Sequence, residues 1–246
     1  MKIVIESHIP FIRDVFEPYA TVEYLDPDDI TAESVRSADA LIVRTRTRCD
    51  AGLLDGSKCR VIATATIGTD HIDLDYCRDK GIKVFNAPGC NAPAVAQYVL
   101  SAIAPASGKT IGIVGAGHVG HIVEEWAKAL GMNVLLNDPP RQSAEQSDSF
   151  TDLATIANEA DIITFHTPLI KGGQWPTYHL ADAQFFNSLR RKPIIINAAR
   201  GPIVDTQALL HAINTGLVSK AIIDCWEGEP HISPELLSVA DVATPH

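Results

Sequence analysis

An arginine, a glutamate and a histidine stand just past apolar runs in the second half of this chain. They are Arg200 in PIIINAARGPIVD, Glu229 in KAIIDCWEGEP and His246 in DVATPH. Taken singly, each reads as an ordinary loop residue: a surface arginine capping a helix, a solvated acid, a frayed histidine. Together they offer a guanidinium, a carboxylate and an imidazole. The planar guanidinium fork holds a carboxylate bidentately and polarises the carbonyl beside it. A carboxylate next to an imidazole fixes its tautomer and makes it a better general base near neutral pH. Beside a hydride acceptor, the set suits a 2-hydroxy acid.

A hydride acceptor has a place to bind. TIGIVGAGHVGHIVEEWAKALGMNVLLND carries Gly115, Gly117 and Gly120 as G-x-G-x-x-G between a strand pattern and a helix pattern. Gly115 permits the tight turn, Gly117 lets backbone approach a pyrophosphate, and Gly120 allows close helix–strand packing. The free N–H groups of the helix start, around His118 and Val119, face the phosphates. The following strand ends in Asp138, eighteen residues after Gly120, where a carboxylate reads both ribose hydroxyls. Asp138 also repels a 2′-phosphate, so NAD is expected over NADP, although Arg141 stands within reach of such a phosphate. No metal site is expected.

A third constellation lies in the first third of the chain. VRTRTR places Arg44, Arg46 and Arg48 at alternate positions where a strand runs into a loop. Strand alternation would put all three on one face beside Thr45, either as a solvated basic edge or as a seat for a substrate phosphate.

Short β-branched runs must position these groups. KIVIE, TVEYL, ALIVRT, RVIATAT and IKVFNA alternate with the helix candidates PFIRDVFEPY, TAESVRS and DLDYCRDKG, the last ending in Gly81 at a helix C-terminus. After the apolar helix APAVAQYVLSAIA and the punctuation PASGKT, a second series follows: TIGIVG, NVLLND, DIITFH, PIIINA and SKAIIDC. Near the end, SPELLSVA reads as a helix and Asp241–Ala243 as a buried strand. Such alternation predicts an α/β fold of two doubly wound parallel sheets, with ligands at the carboxyl ends of the strands. We place the substrate domain at 1–98 and the NAD domain at 99–246, with the boundary near residues 98–108.

Composition agrees. The 246 residues are 46% hydrophobic and 20% charged, enough for proper cores. A net charge of −10 argues against nucleic acid or an anionic membrane as the main partner. No apolar run approaches the roughly 20 residues that span a bilayer. MKIVIESHIP reads as a first strand and not as a signal peptide. Five cysteines without a CxxC pair suggest reduced thiols, so a cytoplasmic setting is expected.

The order glycine-rich turn, NAARGPIVD, D-x-W-E-G-E-P and TPH resembles the D-isomer-specific 2-hydroxyacid dehydrogenases. ATATIGTDHID, APGCNAPAVAQYV, NDPPR, FHTPL with YHL downstream, and DCWEGEPHISPELL resemble one branch acting on a phosphorylated 2-hydroxy acid. The resemblance runs from residue 1 to residue 246. It implies a flavodoxin-like substrate domain, a Rossmann NAD domain and an active site in the cleft. It further implies Arg200 on the substrate carboxylate and 2-oxygen, His246 as general base and Glu229 as its partner. Asp138 would hold the adenosine ribose. Thr167, Ala198, Ala199, Arg200 and Asp224 would contact the cofactor, Asp224 at the carboxamide, while Thr45 and Thr66 match substrate contacts. The family pattern continues past the histidine with a loop, a helix returning to the first domain and a dimerisation region. A homodimer is therefore expected of the full-length protein, and poor turnover of a chain ending at His246. Gln97 stands where the family has glutamate, and the linker at SAIAPASGKT is short. The rival readings are a dehydrogenase of D-3-phosphoglycerate or of another D-2-hydroxy acid and, from another class, an NAD-binding regulatory protein without turnover.

Overall fold

The structure, a computed structural model, describes residues 1–103 and 106–246. It divides into two compact units, residues 1–90 and 91–246, each built on its own parallel sheet.

The first unit has strands β1 (Lys2–Glu6), β2 (Thr21–Leu25), β3 (Ala40–Val43), β4 (Val61–Thr64) and β5 (Lys83–Phe85). They lie in the order β2-β1-β3-β4-β5, the flavodoxin-like order, with every pair parallel. Strand alternation splits the core between two faces. Val4, Leu41, Val43 and Ile62 pack with Val35, Leu53 and Leu54, whereas Ile3, Ile5 and Ile42 pack with Ile9. The helices are short: α1 (Ala32–Val35), α2 (Ala51–Leu54) and α3 (Leu74–Asp79). Thr31, Asp50 and Asp73 cap their N-termini, and Gly81 follows α3 at φ 70°.

The expected helix in PFIRDVFEPY is absent. Residues 8–20 form successive turns, because Phe11 (φ 59°) and Asp14 (φ 66°) both occupy the left-handed region. The arginine run also departs from expectation. β3 ends at Val43, and a turn at Thr45–Arg46 removes the alternation that would align Arg44, Arg46 and Arg48 on one face.

The second unit begins with α4 (Ala92–Ile103), so its start lies ahead of the boundary placed at residue 98. Ala96, Val99 and Ile103 are buried in one core with Ile111, Ile113, Val123 and Ala127, which ties the whole helix to the second sheet. Pro105 of the PASGKT punctuation lies outside the described residues. The sheet comprises β6 (Thr110–Val114), β7 (Asn133–Asn137), β8 (Ile162–Phe165), β9 (Ile194–Asn197), β10 (Lys220–Ile223) and β11 (Val242–Ala243), in the order β11-β10-β9-β8-β6-β7. Its helices are α5 (His118–Ala129), α6 (Pro139–Glu145), α7 (Leu153–Glu159), α8 (Ala183–Ser188), α9 (Thr206–Asn214) and α10 (Pro234–Val239).

β8 and the last three residues of β6, β9 and β10 are buried on both faces, as their continuous apolar runs require. Burying each such Ile or Phe side chain contributes about 1.5–3 kcal/mol. The strand order reverses at β6, which puts the switch point between β6 and β8. Beyond β7, a loop takes the place of a further strand: the Thr151 N–H bonds to the Leu136 carbonyl at 2.6 Å, and Asn137 donates to the Thr151 carbonyl. At the opposite edge, β11 is shorter than expected and exposed, because only β10 pairs with it. All five cysteines are free thiols. Among the described residues no helix is long and apolar enough to cross a membrane.

Candidate active site

Every candidate group of the second unit sits at the carboxyl end of its sheet. At the first, β6 gives way to Gly115 (φ 99°), where a Cβ would lie 2.7–2.8 Å from the backbone of His166 and Thr167. A Cβ at Gly120 would come within 2.0 Å of the Gly115 carbonyl oxygen, so the helix can approach the turn only without a side chain there. Gly117 is different: a Cβ would meet nothing within 4 Å. It is the N-cap of α5 and offers no side-chain cap, so the first N–H groups of a twelve-residue helix open onto that free space.

Two buried polar atoms across the turn lack partners, His166 Nδ1 and Thr167 Oγ1. Buried polar groups are nearly always satisfied, so a polar ligand is called for here. His166 Nε2 meets Thr164 Oγ1 at 3.0 Å, and burial pushes the imidazole down to about 3, which keeps it neutral. Asp138, half-buried, accepts the N–H groups of Ala116 (2.9 Å) and Arg141 (3.0 Å), which hold its carboxylate against the glycine turn. The Arg141 guanidinium bonds to the Ala116 carbonyl and to Glu145, and lies over the Phe150 ring. These residues fit a dinucleotide: an open helix start for the pyrophosphate, an oriented carboxylate for a ribose, and unsatisfied donors and acceptors between them.

The second group is assembled by two loops that touch. A Cβ at Gly201 would lie 2.0 Å from the Trp226 carbonyl, so the loop after β9 can meet the loop after β10 only at a glycine. Asn197, 1% exposed at the end of β9, stitches the two. Its side chain donates to the carbonyls of Arg200 (3.1 Å) and Cys225 (3.3 Å) and accepts from the Ala199 N–H. Ala198 is buried in this turn, and the half-buried Arg200 folds one guanidinium nitrogen onto the Ala199 carbonyl at 2.7 Å.

Glu229 accepts the Trp226 N–H at 2.6 Å on one oxygen and meets His246 Nδ1 at 2.7 Å on the other. That contact puts a proton on Nδ1 and leaves Nε2 with its lone pair. The pair remains accessible, with side chains 35% and 44% exposed. The indole N–H of Trp226 donates to the Thr244 carbonyl at 2.8 Å, and Asp224 accepts the Thr244 hydroxyl at 2.6 Å. Burial, reinforced by the charges of Asp224 and Glu229, pushes the Cys225 thiol up to about 12, so it is no nucleophile.

Sequence reading missed Asn197, Gly201, Trp226 and Thr244 as organisers of this site. The polar residue closing the run PIIIN was the available signal for the first. It also missed a second imidazole–carboxylate pair, which joins Glu227 of this loop to His179 of the segment between β8 and α8. His179 Nε2 meets Glu227 Oε1 at 2.6 Å, and Thr206 N–H donates to the other oxygen. Burial works to raise Glu227, but these hydrogen bonds prevail and hold it below the usual carboxylate range.

In the first unit, Glu6 is buried and accepts the Arg44 N–H (2.8 Å) and the Thr47 hydroxyl (3.0 Å), shaping the arginine loop. Thr45 is exposed on its turn. Arg46 pairs with Asp28 and Arg48 with Asp50, whereas the Arg44 guanidinium reaches only the His8 carbonyl at 3.4 Å and makes no salt bridge among the described residues. Thr66 Oγ1 donates to the Gly68 carbonyl and meets Thr64 Oγ1, which meets His71 Nε2.

Residues 97–246 match the family model described as D-isomer specific 2-hydroxyacid dehydrogenase, NAD binding domain. Over its whole length the chain is 51% identical to an erythronate-4-phosphate dehydrogenase of Bacteroides thetaiotaomicron, of which it covers 73%. It is 48% identical to the enzyme of that name in Porphyromonas gingivalis, again over the whole chain and 69% of the relative. Among solved structures it resembles the D-lactate dehydrogenase of Aquifex aeolicus complexed with NAD and lactic acid (TM-score 0.82, 24% identity, 99% of this chain and 88% of that one). It also resembles the NAD+-bound 3-phosphoglycerate dehydrogenase of Entamoeba histolytica (TM-score 0.83, 25% identity, 100% and 86%).

Proposed function

This chain belongs to the D-isomer specific 2-hydroxyacid dehydrogenase family, with NAD as cofactor, and we propose that it oxidises 4-phospho-D-erythronate at C2 to 2-oxo-3-hydroxy-4-phosphobutanoate. The observation that carries the reading is the Glu229–His246 pair, which leaves Nε2 of a partly exposed imidazole as a proton acceptor. When bound, NAD supplies the hydride acceptor. His246 Nε2 takes the proton of the C2 hydroxyl, and Glu229 holds the ring and balances the imidazolium charge. Arg200 clamps the substrate carboxylate and steadies the developing 2-oxo group. Gly117, His118 and Val119 receive the pyrophosphate, Gly115 and Gly120 supply the turn and the close packing that present them, and Asp138 reads the adenosine ribose. Thr167, Ala198, Ala199 and Asp224 line the remainder, with Asp224 on the nicotinamide carboxamide.

Substrate contacts from residues 1–98 fall to Thr45 and Thr66, and the phosphate to the arginine loop. Arg44 is the strongest candidate there, since Arg46 and Arg48 already face carboxylates. The relatives at 48–51% identity are named for this phosphorylated substrate, which favours it over 3-phosphoglycerate. With it, the reaction belongs to pyridoxal phosphate biosynthesis, carried out in the cytoplasm by a homodimer.

Initial rates of NAD reduction with 4-phospho-D-erythronate, 3-phospho-D-glycerate and D-lactate test the proposal. We expect the first to give the highest kcat/KM. A preference for 3-phospho-D-glycerate would reassign the substrate, and NAD binding without turnover of any acid would favour a regulatory protein.

A further inference from the structure

Thr244 lies two residues before the proposed base and touches three elements at once. Its N–H bonds to the Ile223 carbonyl at the end of β10, and its carbonyl accepts the Trp226 indole N–H at 2.8 Å. Its hydroxyl donates to Asp224 Oδ1 at 2.6 Å and lies 3.0 Å from the Tyr98 hydroxyl of α4. A threonine hydroxyl has a single proton. Since that proton goes to the carboxylate, the Tyr98 phenol must donate to Thr244, and the hydrogen bonds run one way: Tyr98 to Thr244 to Asp224. Burial holds the phenol above its ordinary range, so it stays protonated as the chain requires.

We propose that Thr244 is a positioning residue, ordered by Tyr98 and Trp226, that sets the orientation of the Asp224 carboxylate toward the nicotinamide half of the cofactor while anchoring the segment that carries His246. The inference rests on the proposed role of Asp224 at the carboxamide. A short bond to a carboxylate is charge-assisted and directional, so it selects one rotamer of Asp224. One Asp224 oxygen is then committed to Thr244, and the other is turned to a fixed direction. Trp226 joins this device to the base, because the same residue gives its N–H to Glu229 and its indole N–H to Thr244.

Calorimetric titration of NADH and of ADP-ribose separates positioning from mere structural support, because ADP-ribose lacks the nicotinamide that Asp224 would read. Thr244→Val should weaken NADH about tenfold, the scale of one lost charge-assisted hydrogen bond, and leave ADP-ribose within about twofold. Thr244→Ser keeps the hydroxyl and should restore NADH binding. Tyr98→Phe should give a smaller loss in the same direction. If Thr244→Val does not fold, Thr244→Ala carries the same comparison. Equal losses for both ligands, or no loss for either, would overturn the inference. A wild-type protein that oxidises no 2-hydroxy acid yet shows the NADH-specific loss on Thr244→Val would defeat the proposed function and leave this inference standing.

Discussion

The two loop systems to which substrate contacts are assigned are held in opposite ways. After β9, β10 and β11, Asn197, Gly201, Trp226 and Thr244 lock the segments together from beneath, by buried and half-buried hydrogen bonds and one contact that only glycine permits. After β3, the arginine loop hangs on one buried carboxylate, Glu6, and its guanidinium groups reach out to exposed partners. Geometry fixed from beneath suits bond-making, where small misplacements are costly. Exposed ion pairs are worth little and exchange partners easily, which suits capture of a charged substituent. Substitutions of the groups that touch the substrate should therefore act on kcat in the first system and on KM in the second.

The largest effect should come from His246. Replacing it with Gln removes the proton acceptor, and we expect kcat to fall by about 10³, within the range general bases supply. Glu229→Gln should follow with a smaller loss, because the ring keeps a hydrogen-bond partner but loses the compensating charge. Single-turnover kinetics with NAD titrations on the same samples would check that cofactor affinity is retained. A variant with unchanged kcat would remove His246 from the chemistry.

Arg200→Lys comes next. It keeps the charge and loses the planar fork, so the change is not conservative here. We expect kcat/KM to fall at least about a hundredfold, near 3 kcal/mol of transition-state stabilisation, with NAD binding nearly unchanged. Turnover at the wild-type level would move the carboxylate clamp elsewhere.

Legibility in the sequence follows the same division. Groups whose positions depend on neighbours a few residues away were readable. The glycines at 115, 117 and 120 occupy the turn, the open cradle and the packing contact that their spacing implied, and Gly81 ends α3 as read. The apolar runs of β6, β8, β9 and β10 became strands, because burial on both faces leaves a composition that few other elements share. What escaped depended on partners far along the chain. Tyr98 and Thr244 are 146 residues apart, and Asn197 and Cys225 are 28 apart. The helix expected in PFIRDVFEPY failed for a local reason that residue types hide, since nothing about Phe11 announces a positive φ. The arginine alternation failed because a strand pattern was extended through a turn.

Cofactor choice should show a moderate effect. The Asp138 carboxylate is held by two backbone N–H groups, and Arg141 is already engaged with Glu145 and the Ala116 carbonyl. A 2′-phosphate would meet a fixed negative charge without a free guanidinium to offset it. We expect NAD to bind at least about tenfold more tightly than NADP, or 1.4 kcal/mol, with Asp138→Ser narrowing the gap. Equal binding of the two cofactors in wild type would mean that Arg141 leaves its partners to take the phosphate.

The smallest effects should come from the arginine loop, and they bear most directly on the contrast between the two systems. Arg44→Ala removes the one guanidinium of the three without a salt bridge among the described residues, so it costs no existing ion pair. If that group receives the phosphate, KM for 4-phospho-D-erythronate should rise about tenfold, the worth of a charge-assisted bond to a partly solvated anion. KM for non-phosphorylated D-erythronate should stay put, and kcat should be nearly constant for both. Arg46→Ala and Arg48→Ala release Asp28 and Asp50, and should shift KM less than Arg44→Ala does. The decisive quantity is the ratio of the two substrates' KM values in each variant, since a loop that had merely loosened would raise both together. A uniform rise would return the run to a solvated basic edge and place phosphate recognition outside it. A fall in kcat would erase the division of labour between the two loop systems, because it would mean that the exposed loop also fixes the reacting atoms.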